Sequence, residues 1–141
     1  MEQRQDLESQ NTKGHVIQTR TFKSWLRGDG IIESRSFPLS EQKLADAVEN
    51  VQALVTLSAG KRRPCLVDYR GIKSIDREAR AYYAGTEICS VQTAAALVID
   101  NYLERVIGNF FMGINKPRQP TRLFNNEADA IEWLKNYRDD E

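Results

Sequence analysis

A chain of 141 residues is the size of one domain, and on folding it buries roughly two-thirds of its unfolded surface, so neither a disulfide nor a metal is needed to hold it. Its 20 lysines and arginines cancel its 20 aspartates and glutamates, which argues against a nucleic-acid binder that works through bulk positive charge. The opening "MEQRQDLESQNTK" carries acids and amides where a signal peptide carries an apolar stretch, and no run of about 18 apolar residues occurs anywhere, so a soluble cytoplasmic protein is expected.

Residues 1–13 are polar without an apolar period and read as a disordered leader; a single domain then occupies 14–138. "HVIQTRTFKSWL", from His15 to Leu26, alternates apolar and polar residues, and "RGDG" supplies a turn before "IIESRSF", which predicts a hairpin. Ser40 then caps a predicted helix to about Ser58, with Leu44, Ala47, Val48, Val51 and Val55 on its buried face. "CLVDY" is a short apolar run between "KRRP" and Gly71, as expected of a strand covered on both faces. Asp76 caps the next helix, "REARAYYAGTEICS", and "AAALVID" from Ala94 is a further strand. Leu103, Val106, Ile107, Phe110 and Ile114 then form a helical stripe. "TRLF" is the last strand, and Asn125 or Asn126 opens a final helix with Ile131 and Leu134 facing inward. The succession predicts an α/β fold with a mixed sheet: a β-hairpin, then α-β repeats and a C-terminal helix, about five strands and four helices in all.

In that order, "LVDYRGIKSID" at 66–76 resembles the strand and loop of STAS domains, the SpoIIAA-like fold of anti-sigma-factor antagonists. "VIGNFFMGINKPRQPTRLFNNEADAIEWL" at 106–134 is similar to a group of small uncharacterised bacterial STAS-like proteins found notably in Bacteroidetes, and the resemblance spans about 15–138. It implies a regulatory fold that engages protein partners. Asp76 matches the family's switch-loop aspartate, but Arg77 stands where the phosphorylated serine follows it, and an arginine cannot accept a phosphoryl group. Ser74 is a poor substitute by its spacing.

Asp68 and Asp100 end the two most apolar strands, where open parallel sheets form ligand crevices, and as a pair they could hold a metal or share a proton. Local chemistry favours a structural reading: Asn101 and Glu104 have capping-box spacing, Asp68 suits the "DYRG" turn, and Asp76 suits a helix cap. His15, the only histidine, stands at the leader's edge, a poor place for a catalytic base. Cys65 and Cys89 lack zinc-site spacing and read as reduced structural thiols, and "GDG" at 28–30 joins two strands instead of opening a helix. No enzyme, metal or cofactor is expected.

Lys61, Arg62 and Arg63 precede one parallel strand, and Lys116 and Arg118 precede another, so both loops belong at one end of the sheet. They form either a basic pole for an anion or solvated loop charge. In "FFMGI", Phe110, Phe111 and Met112 place apolar groups at consecutive positions, more than one helix face buries, which points to a second subunit, a ligand or burial on both sides. Tyr82, Tyr83, Trp25 and Trp133 are expected to fill the core or cap its rim. The expectation is a non-enzymatic STAS-like module acting through protein contacts, as a homodimer using the "GNFFMG" helix or a hairpin edge. The alternative is a carrier of a small amphiphile or anionic lipid through a basic-rimmed apolar pocket, since SEC14 lipid-transfer domains are often likened to STAS folds.

Overall fold

The computed structural model describes residues 15–101, 104–107, 109 and 116–138; the polar leader 1–13 lies outside them. Val16–Gln18 (β1), Phe22–Leu26 (β2) and Ile32–Ser36 (β3) form an antiparallel meander. The stretch from His15 to Leu26, expected as one strand, folds back on itself at Thr19. There the Thr19 amide donates to the Phe22 carbonyl at 2.8 Å and the Thr19 hydroxyl accepts from the Phe22 amide at 3.1 Å. A side-chain hydroxyl that mimics a backbone turn is a local alternative to continuing the ladder. The next turn is closed at Gly30, whose φ of +88° favours glycine.

The chain continues through Glu41–Gln42 (β4), Leu44–Ser58 (α1), Arg63–Asp68 (β5), Ser74–Ile75 (β6), Arg77–Tyr83 (α2), Thr86–Cys89 (α3) and Gln92–Val98 (β7). A helical turn at 104–107 follows, then Thr121–Phe124 (β8), Glu127–Leu134 (α4) and a 3-10 turn, Lys135–Tyr137. The main sheet has six strands in the order β1-β2-β3-β5-β7-β8, and β4 and β6 form a separate two-stranded parallel ladder. β3, β5, β7 and β8 run parallel to one another. The expected mixed sheet is therefore present, with one strand more because of the turn at Thr19. The predicted helix "REARAYYAGTEICS" divides at Ala84 and Gly85 into α2 and α3.

Alternation along the strands sends side chains to two differently covered faces. Ala95, Leu97 and Ile99 pack with Ala47 of α1, Ala79 of α2 and Ile107, and Ile32 and Cys65 pack with Val51, Leu54, Leu57 and Ile88. Leu66, Ala94, Ala96 and Val98 face the other way, onto Ala130 and Leu134 of α4. Every residue of β7 is buried, which explains its continuous apolar run. Pro64 lies within central β5, where the pairing register skips and no ladder donor is demanded of it.

α1 corrects the expected helix. It opens after Lys43, not Ser40, with the Asp46 carboxylate accepting from the Lys43 amide. Ala47 and Val51 are buried as expected, but Leu44, Val48 and Val55 are 40 %, 37 % and 43 % exposed. Asp46 and Asn50 face inward instead. Arg20 binds Asp46 through Nε at 2.7 Å and Nη2 at 2.6 Å, while Asn50 accepts from the Thr19 hydroxyl and donates to Thr21 and Tyr83 at 3.0 and 2.9 Å. These polar contacts across elements set the helix rotation, and a count of apolar spacing does not register them. Leu103, Phe110 and Ile114 of the later stripe lie outside the described residues, whereas Ile107 is buried.

Candidate functional site

The switch-loop positions sit where the β4–β6 ladder meets α2. Asp76 is the helix N-cap, its Oδ1 accepting from the Ala79 amide at 2.9 Å, and its own amide donates to the Gln42 carbonyl at 3.0 Å. Arg77 begins the helix, exposed, and Ser74 is half-buried in the ladder.

Asp68 and Asp100 do not share a task. Asp68 is buried, and Arg70 occupies both of its oxygens: the Arg70 amide and Nε reach Oδ1 at 3.0 and 2.9 Å, and Nη2 reaches Oδ2 at 2.8 Å. Glu127 of α4 bridges Arg70 and Arg35 at 2.8 and 3.0 Å, and Arg35 also binds Glu33 at 2.9 Å. Burial pushes the Asp68 carboxyl up, but the Arg70 hydrogen bonds and the Arg70 and Arg35 charges outweigh it and hold the group below its ordinary value. Asp100 is exposed, and its amide donates to Glu104 at 2.6 Å. Sequence spacing marks Glu104 as a capping residue, and Asn101 does accept from its amide at 2.9 Å. Its larger task is long-range: the buried carboxylate also takes the Gly71 amide at 2.7 Å, tying the loop after β5 to the turn after β7. No group of three or more His, Cys, Asp or Glu side chains that could hold a metal occurs among the described residues.

Both basic loops lie at the amino ends of the parallel strands, but their side chains behave differently. Arg62 donates to the carbonyls of Cys89 and Gln92, both at 3.1 Å, and Arg63 donates to that of Ser58 at 3.0 Å, closing the ends of α3 and α1. These two arginines stitch backbone ends together instead of standing out as a pole. Lys116 and Arg118 are exposed on the strap before β8. Phe110, Phe111 and Met112 lie outside the described residues. Trp133 packs on Phe124 and Tyr137, with ring centroids 5.7 and 5.0 Å apart, and Arg35 lies over Trp25 at 5.9 Å. Tyr82 is half-buried against the core.

What sequence reasoning did not place is the lining of a cavity of about 50 Å³ on the face covered by α1, α2 and α3. Ser24, Ser34, Val67 and Leu97 stand in one register row of the sheet, and Ala95 and Thr121 pair in the neighbouring row. Four of these six floor residues are small, where leucine-sized side chains would fill the layer. Leu54, Ile88 and Tyr83 form the walls, and Gln92, Pro117 and Gln119 close the end toward the strap. Burial pushes the Tyr83 hydroxyl well above its usual range, so it stays protonated and donates to Gln42. Burial likewise drives the Cys65 thiol up to about 12, an inert structural thiol as expected. Inward serines at alternating positions were the available signal, but only the strand register places them side by side.

A family model described as a domain of unknown function (DUF7793) matches residues 24–138. Among solved structures, the chain is similar to an uncharacterised DUF3478-family protein with a SpoIIAA-like fold from Shewanella loihica PV-4. The TM-score is 0.52, with 14% identity over 86% of this chain and 91% of that one. It is also similar to a protein of unknown function from Arthrobacter sp. FB24, 32% identical over 79% of this chain and 96% of that one, with a TM-score of 0.32. No curated protein matches. The fold that segments 66–76 and 106–134 suggested is thus the fold present, and the chain belongs to the DUF7793 family with a SpoIIAA-like architecture.

Proposed function

We propose that this chain is a non-catalytic contact module that works as a homodimer through the exposed apolar margin of α1. At 100° per residue, Leu44, Val48 and Val55 fall within about 40° of one another around the helix, and each is more than a third exposed. That line of apolar side chains is the observation that carries the reading. Its flanks at Ala45, Gln52 and Thr56 are uncharged, so an identical copy across a two-fold axis meets no like charge along the stripe. Leu39, five residues before Leu44, adds a 75 % exposed apolar group held at a φ of +61°. The absence of catalysis is supported by the commitments of the candidate acids: Asp68 to Arg70, Asp76 to the α2 cap and Glu104 to two backbone amides.

Sedimentation velocity over a range of concentrations tests the proposal. The wild-type chain is expected to sediment as a dimer, and the double variant Val48→Glu, Val55→Glu as a monomer with an unchanged far-ultraviolet spectrum. A monomeric wild type, or a folded double variant that still dimerises, overturns it.

A further inference from the structure

We infer that the chain also binds a small, uncharged, mainly apolar molecule carrying one hydrogen-bond donor, in the cavity between the sheet and α1–α3. This goes beyond the contact surface on α1, which lies at the exposed margin of that helix and outside the cavity lining. The cavity has room for more than one water, and Phe22, Leu54, Val67, Ile88 and Leu97, which floor and wall it, offer water no partner. Apolar lining with a few placed polar groups is the pattern of a ligand site.

The polar groups are oriented. The Cys65 thiol donates to the Arg63 carbonyl, which can only accept. The Gln92 Oε1 faces the Gln119 side chain at the end of the cavity. Gln119 meets that oxygen with its own Nε2. The Gln119 Oε1 is consequently left as an acceptor without a partner, on a side chain 5 % exposed that lines the cavity. Leaving a buried carbonyl oxygen unpaired is costly, and a ligand O–H or N–H removes the cost. Across the floor, the Ser24 and Ser34 hydroxyls share one hydrogen bond at 2.8 Å, so one hydroxyl hydrogen of the pair remains available to a ligand oxygen.

Charge decides the class of ligand. None of the described lining residues is ionised near neutral pH, and Lys116 and Arg118 stand exposed on either side of the lining residue Pro117. A carboxylate or phosphate inside would be buried without a counter-charge, a cost that an alcohol or amide avoids. The chemistry therefore favours a neutral ligand over an anionic lipid.

The test is methyl NMR on the full-length labelled chain near neutral pH with three probes of matched length: 1-hexanol, hexanoate and 1-methoxypentane. Hexanol is expected to shift the methyl signals of Leu54, Val67, Ile88 and Leu97 saturably, binding about tenfold more tightly than hexanoate and several-fold more tightly than the ether, which cannot donate to Gln119. Ala95→Leu, which fills the floor, is expected to abolish these shifts while the amide spectrum stays dispersed; should it fail to fold, Thr121→Ile fills the same space from the edge strand. Absence of saturable shifts up to the solubility of hexanol overturns the proposal. So does hexanoate binding as tightly as hexanol, the ether binding as tightly as hexanol, or a folded, filled variant that still binds.

Discussion

Asp68 illustrates how a residue at a promising address can be fully occupied. It ends a central parallel strand, yet Arg70 wraps both of its oxygens and Glu127 braces the arginine from α4. Asp68→Asn leaves the guanidinium facing a neutral amide and is expected to cost about 2 kcal/mol in a urea melt, as loss of a charged hydrogen-bond pair does. Asp46 is held low as well, chiefly by its hydrogen bond from Arg20. Carboxyls held low in the folded state contribute stability that is fully present above the unfolded carboxylate range, about pH 4, and is lost as pH falls through their folded values. Unfolding midpoints should therefore stay flat from neutral pH to that range and fall below it, less steeply in Asp68→Asn than in the wild type. Turns and caps of this kind were legible because their partners lie within three residues: Asp76 with Ala79, Asn101 with Glu104, Asp68 with Arg70. Glu127 on Arg70 and Glu104 on Gly71 were not, because those pairs are 57 and 33 residues apart.

Helices show the same division between local and remote causes. Asn126 caps α4 through Oδ1 to the Asp129 amide at 2.9 Å, as its position before an acidic first turn suggests. Asn126→Ala is expected to lower stability by about 1 kcal/mol without altering the fold, measured by thermal melting alongside the far-ultraviolet spectrum. α1 behaves otherwise. Its ends were readable to within a few residues, but its rotation follows from Thr19, Thr21, Arg20 and Tyr83, which reach Asp46 and Asn50 from other elements. The apolar residues displaced by that rotation, Leu44, Val48 and Val55, are the ones that form the proposed dimer surface.

Across the whole molecule, the six-stranded sheet divides the protein into two unlike halves. The α4 side is a closed apolar layer with the ion network at its margin, while the α1–α3 side holds the cavity. β5 and β7 are covered on both faces, whereas β1 is a three-residue edge strand with Val16 53 % exposed. Native-state hydrogen exchange is accordingly expected to be slowest at Leu66, Val67, Ala96 and Leu97, approaching the global unfolding limit, and fastest among the strands in β1. Equal protection of β1 and β7 would contradict this layering. If a ligand occupies the cavity, its binding should slow exchange further at the lining strands by mass action.

Alternation, apolar runs and cap residues are properties of neighbours along the chain, and from them the sequence by itself determined the α/β class, the order of the main-sheet strands and principal helices, the parallel part of that sheet and the caps of α2 and α4, but not the β4–β6 ladder. The resemblance carried by residues 66–76 and 106–134 added the SpoIIAA-like architecture. Only the tertiary structure decided the turn at Thr19, the rotation of α1, the engagement of Arg62 and Arg63 with backbone carbonyls, and the cavity. The rotation of α1, the hold of Arg62 on Cys89 and Gln92, and the cavity depend on hydrogen bonds or a register between segments distant in sequence, while the turn at Thr19 rests on a hydroxyl that competes with the ladder locally. Ser24, Ser34, Val67 and Leu97 become one row only when four strands pair in a single register, and no local pattern encodes that register.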